Sequence, residues 1–120
     1  MYEFKLDLTN QRLDASVCGS MTVEEHIAFN SDLQQHVKKL RAGWICAVDL
    51  SQMKVHSPEL VPYMQKAQQI VLAAEVGKMG TLLRYATQKM QTNRVGAQTG
   101  ANNLTQRFYD RSEWDAFLNT

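Results

Sequence analysis

Trp44-Ile45-Cys46-Ala47-Val48-Asp49-Leu50-Ser51-Gln52-Met53-Lys54-Val55-His56-Ser57-Pro58-Glu59 is the stretch whose reading decides the fold. It begins with an apolar run over residues 44–48 that is too short for a free-standing helix and rich in strand formers. A strand without polar alternation is covered on both faces, as in a parallel sheet. Residues 44–48 are therefore expected to be the most buried strand of the molecule. Asp49 ends the run and caps a turn, and a short loop follows. Ser57-Pro58-Glu59 then reads as a helix start, with Ser as N-cap, Pro at the first helical position and an acid facing the positive end of the helix dipole. Open α/β folds place their ligand or partner sites where strand C-termini meet helix N-termini, so the same stretch gives the expected address of function.

Upstream, Tyr2, Phe4, Leu6 and Leu8 alternate with Glu3, Lys5 and Asp7, the pattern of a half-buried strand. Thr9-Asn10-Gln11 makes a tight turn, and Leu13, Ala15 and Val17 alternate in a second strand. The short connection makes the pair an antiparallel hairpin. Thr22 and Glu25 form a T-x-x-E capping box for a helix expected to reach about Arg41, with Asn30-Ser31 as its weak point.

Downstream, a second helix is expected over residues 58–75, with Pro62 tightening its first turn. Residues 79–86 contain another apolar run and end in Arg84-Tyr85-Ala86-Thr87. Residues 88–104 are polar, with a thin apolar stripe of Met90, Ala97, Ala101 and Leu104; Gly96 and Gly100 each weaken this helix by roughly 1 kcal/mol relative to Ala. Residues 107–110 read as a short edge strand, and Ser112-Glu113-Trp114-Asp115 as a capping box for a last helix burying Trp114, Phe117 and Leu118. The order is ββαβαβαβα. It predicts an α/β fold in one domain, residues 1–120, with a mostly parallel five-stranded sheet, one antiparallel edge strand and right-handed crossovers.

Composition sets the class. The chain has 120 residues, 44% hydrophobic and 21% charged, and a formal net charge of +1. That is a soluble globular domain with no general affinity for nucleic acid or membrane. No apolar run is long enough to span a bilayer, and the alternating N-terminus is no signal peptide. Cys18 and Cys46 both fall in expected strands, so they are read as free, buried thiols of a reduced, cytoplasmic protein. No CxxC or zinc-spaced Cys/His cluster occurs, His26 and His36 share no metal geometry, and no cofactor is implied.

The leading hairpin, the capped helix, the strand-loop-helix D-L-S-Q-M-K-V-H-S-P-E and the closing R-F-Y-D-R-S-E-W-D-A-F-L together resemble the STAS family. That family includes bacterial anti-sigma factor antagonists and small stand-alone proteins of STAS/SEC14 type. The antagonist loop reads roughly D-L-S-x-V-x-x-x-D-S-S-G. Asp49-Leu50-Ser51 matches it and Met53 fits its apolar position. His56, Pro58 and Glu59 stand where the family has an acid, a second Ser and a Gly. The resemblance implies a non-enzymatic regulatory domain that binds a protein partner, with Ser57 carried over as phosphoacceptor in a degenerate loop. Its SEC14-like side implies the alternative, a carrier or sensor of a small anionic or amphipathic molecule.

Other residues point to the same end of the sheet. From Lys78 to Arg111 the bases are Lys78, Arg84, Lys89, Arg94, Arg107 and Arg111, and the only acid is Asp110. The topology puts Arg84, Tyr85 and Thr87 beside the loop that carries Lys54, His56 and Ser57. These six are the expected partner- or ligand-binding residues. Each also has a plainer reading: Ser57 as a simple N-cap, His56 as a surface histidine, the bases as a solvated face. No paired carboxylates or nucleophile-base set argues for an enzyme. Tyr2 and Phe4 are the expected contact of a homodimer through the hairpin edge. A large apolar pocket beneath the 88–104 helix would favour the carrier, and a solid core the interaction module.

Overall fold

The computed structural model describes residues 1–54 and 57–120. The strands are β1 (Tyr2–Asp7), β2 (Arg12–Gly19), β3 (Ile45–Met53), β4 (Lys78–Leu82) and β5 (Thr105–Phe108). The helices are α1 (Val23–Val37), α2 (Val61–Ala73), α3 (Ala86–Thr99) and α4 (Arg111–Leu118). Single 3-10 turns, Pro58–Leu60 and Ala101–Asn103, precede α2 and β5. The element order is the expected ββαβαβαβα. The strands lie in sequence order across one five-stranded sheet, β1 antiparallel to β2 and every other pair parallel.

Side-chain alternation divides the core between the two faces of the sheet. On one face Leu13, Cys46 and Met79 pack against Leu33 and Val37 of α1 and Ile70 and Val71 of α2. On the other, Ala47 and Leu82 pack against Trp114 and Leu118 of α4. The Trp114 indole N–H donates to the Gly80 carbonyl at 2.9 Å, which fixes α4 across β4. Covered from both sides, β4 is the most buried strand, and the expectation that residues 44–48 would be is corrected. Ile45 is only half-buried, because α4 crosses β4 and β5 and leaves much of the β3 underside open, and Val48, on the other face, is half-buried where it lines a hollow between the sheet and the helices. Two glycines close the other end of the sheet. A Cβ on Gly77 would stand 2.5 Å from the Gly43 carbonyl oxygen, and the Gly77 N–H bonds to the Trp44 carbonyl at 2.7 Å.

Several boundaries move for local reasons. Strand β3 does not stop at Asp49 but runs on to Met53. Between the pairs Ser16–Asp49 and Cys18–Gln52, β3 advances three residues while β2 advances two, so β3 carries a bulge. There the Asp49 carboxylate accepts from the Ser51 N–H at 2.9 Å and its hydroxyl at 2.6 Å. Beside this irregularity Cys18 is exposed, which corrects its expected burial; Cys46 is buried as expected, and desolvation pushes its thiol up to about 12.

Helix α1 ends at Val37, four residues before Arg41. Its expected weak point is sound, because the Asn30 side-chain amide donates to the Tyr63 carbonyl at 3.1 Å and ties α1 to α2. The Thr22–Glu25 capping box is present. The last helix is capped by Asp110, whose carboxylate accepts from the N–H groups of Ser112 and Glu113, and not by Ser112. Tyr2 and Phe4 turn onto α1. The Tyr2 hydroxyl donates to Asp32 at 2.6 Å, and the Phe4 ring lies 4.8 Å from that of Phe29. Both aromatics named for a self-contact therefore cover the chain's own core.

Candidate functional site

The C-terminal ends of β3 and β4 present two turns side by side. The first leaves β3 at Lys54, whose N–H bonds to the Gly19 carbonyl at 3.0 Å and whose side chain is exposed. His56 lies outside the described residues, so its expected role is not located. Ser57 is extended and exposed at the N-cap position of the Pro58–Leu60 turn. Its hydroxyl makes no capping bond to that turn and donates instead to the Glu59 carboxylate at 3.3 Å. The reading of Ser57 as a side-chain N-cap is thus corrected. With Pro58 and Pro62 both at this helix start, the backbone makes a 3-10 turn first and opens α2 only at Val61, so the hydroxyl makes no capping bond.

The second turn joins β4 to α3. Arg84, Tyr85 and Thr87 are all exposed, and the Arg84 guanidinium lies 5.5 Å from the Tyr85 ring centre. Thr87 shares a shallow surface hollow with Pro58, Val61, Met90 and Arg94, so the start of α3 and the start of α2 form one continuous face. Tyr85 and Met90 are large apolar groups exposed on it. Among the described residues, neither Lys54, Arg84, Lys89 nor Arg94 is in an ion pair.

What holds the two turns together is Gln88, which sequence reasoning did not single out. It is fully buried, and both ends of its amide are used. Its Nε2 donates to the carbonyls of Leu50 and Met53 at 2.8 and 2.9 Å, and its Oε1 accepts from the N–H groups of Arg84 and Tyr85 at 2.8 and 3.0 Å. One side chain thereby joins the end of β3 to the start of α3. The available signal was Gln at the third position after a helix start, the place where a side chain reaches back to the N-terminal amides.

Helix α3 buries a polar face. Gln88, Thr92, Val95 and Gly96 point inward, while Met90 and Ala97 of the expected stripe are exposed and Leu104 is partly so. Only Ala101 of that stripe is buried. Arg107, counted above only as one base among several, is half-buried beneath this helix. Its Nε donates to Thr92 Oγ1 at 3.0 Å, and its Nη2 to the Thr92 carbonyl at 3.0 Å and to Asn102 Oδ1 at 2.6 Å. Burial lowers its pKa, as expected for a cation taken out of water.

Among the described residues, the opposite face of the sheet holds the charged pairs Arg12–Asp14 and Arg111–Asp49. Arg111 Nη2 lies 3.0 Å from Asp49 Oδ2. Burial raises the Asp49 pKa, but hydrogen bonds from Ser51 and the Arg111 guanidinium outweigh it, and the group lies below its ordinary value. Among the described residues no three His, Cys, Asp or Glu side chains are placed to hold a metal ion, and no helix is long and apolar enough to cross a membrane.

Between the sheet and α1, α2 and α3 lies a cavity of about 120 Å³. Its walls are mostly apolar, and Thr81, Thr92, Thr105 and Arg107 supply polar groups towards β4 and β5.

No family model matches the chain, and no curated protein matches it by sequence. Solved structures do match its fold. An uncharacterized protein of the DUF3478 family with a SpoIIAA-like fold, from Shewanella loihica PV-4, aligns over 98% of this chain and 93% of its own, with a TM-score of 0.69 and 12% identity. The anti-sigma factor antagonist SpoIIAA in its unphosphorylated form aligns over 100% and 98%, with a TM-score of 0.66 and 8% identity. An anti-sigma factor antagonist from Mycobacterium paratuberculosis aligns over 100% and 96%, with a TM-score of 0.60 and 14% identity. The chain has the STAS-like fold, as the sequence resemblance implied.

Proposed function

We propose that this chain is a non-enzymatic regulatory domain that binds a protein partner through the face made by the β3–α2 and β4–α3 turns. The observation that carries the reading is the composition of that face. It exposes Lys54, Arg84, Tyr85, Met90 and Arg94, none of these bases being in an ion pair among the described residues. An exposed aromatic and an exposed Met among unpaired bases suit a partner with an acidic rim around an apolar centre. The likeness in fold to anti-sigma factor antagonists supports the reading at the level of architecture. Ser57 borders this face, and a phosphate there would meet the Glu59 carboxylate that its hydroxyl now touches. Ser57 thus acts as a contact residue, and phosphorylation would serve to weaken partner binding.

The test is capture of partners from a lysate of the source organism on immobilised wild-type protein and on the double variant Arg84→Glu, Tyr85→Ala, compared by quantitative mass spectrometry. A protein retained by the wild type and lost by the folded variant is expected. Equal retention by both would contradict the proposed face.

A second reading, a sensor or carrier of a small molecule, is favoured by the partly open apolar cavity between the sheet and the helices.

A further inference from the structure

A half-buried guanidinium needs an account of its charge. Long cationic side chains are seldom taken out of water without an anion beside them. Arg107 is held by three neutral acceptors, the Thr92 hydroxyl, the Thr92 carbonyl and the Asn102 amide oxygen. Those bonds use its Nε and Nη2. Among the described residues its Nη1 donates no hydrogen bond, and no carboxylate lies within ion-pair distance. The surroundings are built to hold the group in place. A Cβ on Gly96 would stand 3.0 Å from Arg107 Nη2 and 2.1 Å from Asn102 Oδ1, so the bare glycine is what lets this cluster pack under the helix.

Arg107 also lines the cavity. That space is about 120 Å³, comparable to the roughly 150 Å³ apolar cavity that admits benzene. Phe29, Met53, Met64, Val71 and Met79 form much of its apolar wall. Three of these are methionines, whose unbranched side chains adapt to varied apolar shapes. Thr92, Thr105 and Arg107 lie together at the β5 side. The space is therefore apolar along most of its length and cationic at one end, and it is too small for a membrane lipid.

We infer that this cavity binds a small organic monocarboxylate, with an apolar tail of about six carbons against the methionine wall and its carboxylate on Arg107. The inference deepens the sensor reading, on which it rests, by naming the class of molecule sensed. Helices α1 and α2 cover most of the cavity, and α3, whose exposed start presents Tyr85 and Met90, adds Thr92 to its wall beside Arg107.

The experiment is a titration of methyl-labelled full-length protein with benzoate and, separately, with benzyl alcohol, which matches benzoate in size and lacks its charge. Methyl signals of Met53, Met64 and Met79 report the cavity. Benzoate should bind, and Arg107→Met should weaken it at least about tenfold while leaving benzyl alcohol nearly unchanged. Ala67→Leu, which fills the cavity from α2, should abolish binding of both and keep the chain folded. If benzyl alcohol binds wild type as tightly as benzoate, the cavity holds ligands but the carboxylate assignment fails. If neither binds, the sensor reading fails with it. If Arg107→Met does not fold, Arg107→Lys replaces it, and unchanged benzoate affinity in that variant, whose ammonium cannot keep the bonds to Thr92 and Asn102 and also present a donor where Nη1 stands, would overturn the assignment of the carboxylate to the guanidinium.

Discussion

Helices α1 and α3 cover the same face of the same sheet with different balances of apolar and polar contact. Helix α1 buries Leu33 and Val37 into a close-packed apolar cluster with Leu13 and Cys46. Helix α3 buries one large apolar side chain, Val95, beside Gln88, Thr92 and Gly96, and rests on hydrogen bonds from Gln88 and Arg107. Apolar packing is non-directional and tolerates small shifts, whereas a buried polar network is stable only while all its partners are met. The difference predicts a fixed half and a half that opens at lower cost, with the candidate site at the start of the helix in the second half.

The largest expected effects separate the two halves directly. Leu33→Ala should cost about 3 kcal/mol of global stability, since it opens a cavity in the apolar cluster. Gln88→Leu should cost about 2 kcal/mol, since it leaves the Leu50 and Met53 carbonyls without their side-chain donor. Urea denaturation measures both, and the amide spectrum should show the second loss concentrated in α3 and its flanking turns. A uniform spectral change in Gln88→Leu would break the distinction.

Gly96→Ala sharpens it further, because the sign is reversed from the ordinary one. Alanine normally stabilises a helix interior by about 1 kcal/mol over glycine. Here the added methyl meets Asn102 Oδ1, and Asn102 cannot swing away without losing its bonds to Asn93 and Arg107. Gly96→Ala should therefore lower the melting temperature, and a rise would show that Asn102 moves freely.

His26 belongs to the fixed half. Burial lowers its pKa below the ordinary 6.5, so the folded chain takes up this proton less readily than the unfolded chain. Its contribution is then fully present above pH 6.5 and declines as the pH falls below it. Stability at pH 7 and pH 5 should differ less in His26→Gln than in wild type. The smallest effect is expected at Ser57. With no capping bond to lose, Ser57→Ala should change stability by less than about 0.5 kcal/mol, against about 1 kcal/mol for a true N-cap.

How much of this was legible in the sequence follows the same division. The element order and the single antiparallel pair came from apolar alternation and turn residues, because those record which side chains meet the core. The burial of residues 44–48 was overestimated because an apolar run shows that a strand can be covered, not that a helix reaches it; α4 crosses β4 and β5 instead. Cys18 was misplaced because strand membership was taken as burial, whereas the alternation of β2 puts Cys18 on the open face with Asp14 and Ser16. The inward face of α3 was missed because hydrophobic periodicity finds only apolar stripes, and this helix turns Gln88 and Thr92 inward. Of the candidate site, Lys54, Ser57, Arg84, Tyr85 and Thr87 could be placed at one end of the sheet from topology alone. The roles of Gln88 and Arg107 could not, because each depends on partners more than ten residues away.

The measurement that bears most directly on this account is native-state hydrogen exchange, comparing the amides of Thr92 and Val95 in α3 with that of Leu33 in α1 across low concentrations of denaturant. The account predicts that the α3 amides exchange through a local opening of lower free energy and nearly independent of denaturant, while the Leu33 amide exchanges only on global unfolding. Equal protection and equal denaturant dependence in the two helices would contradict it.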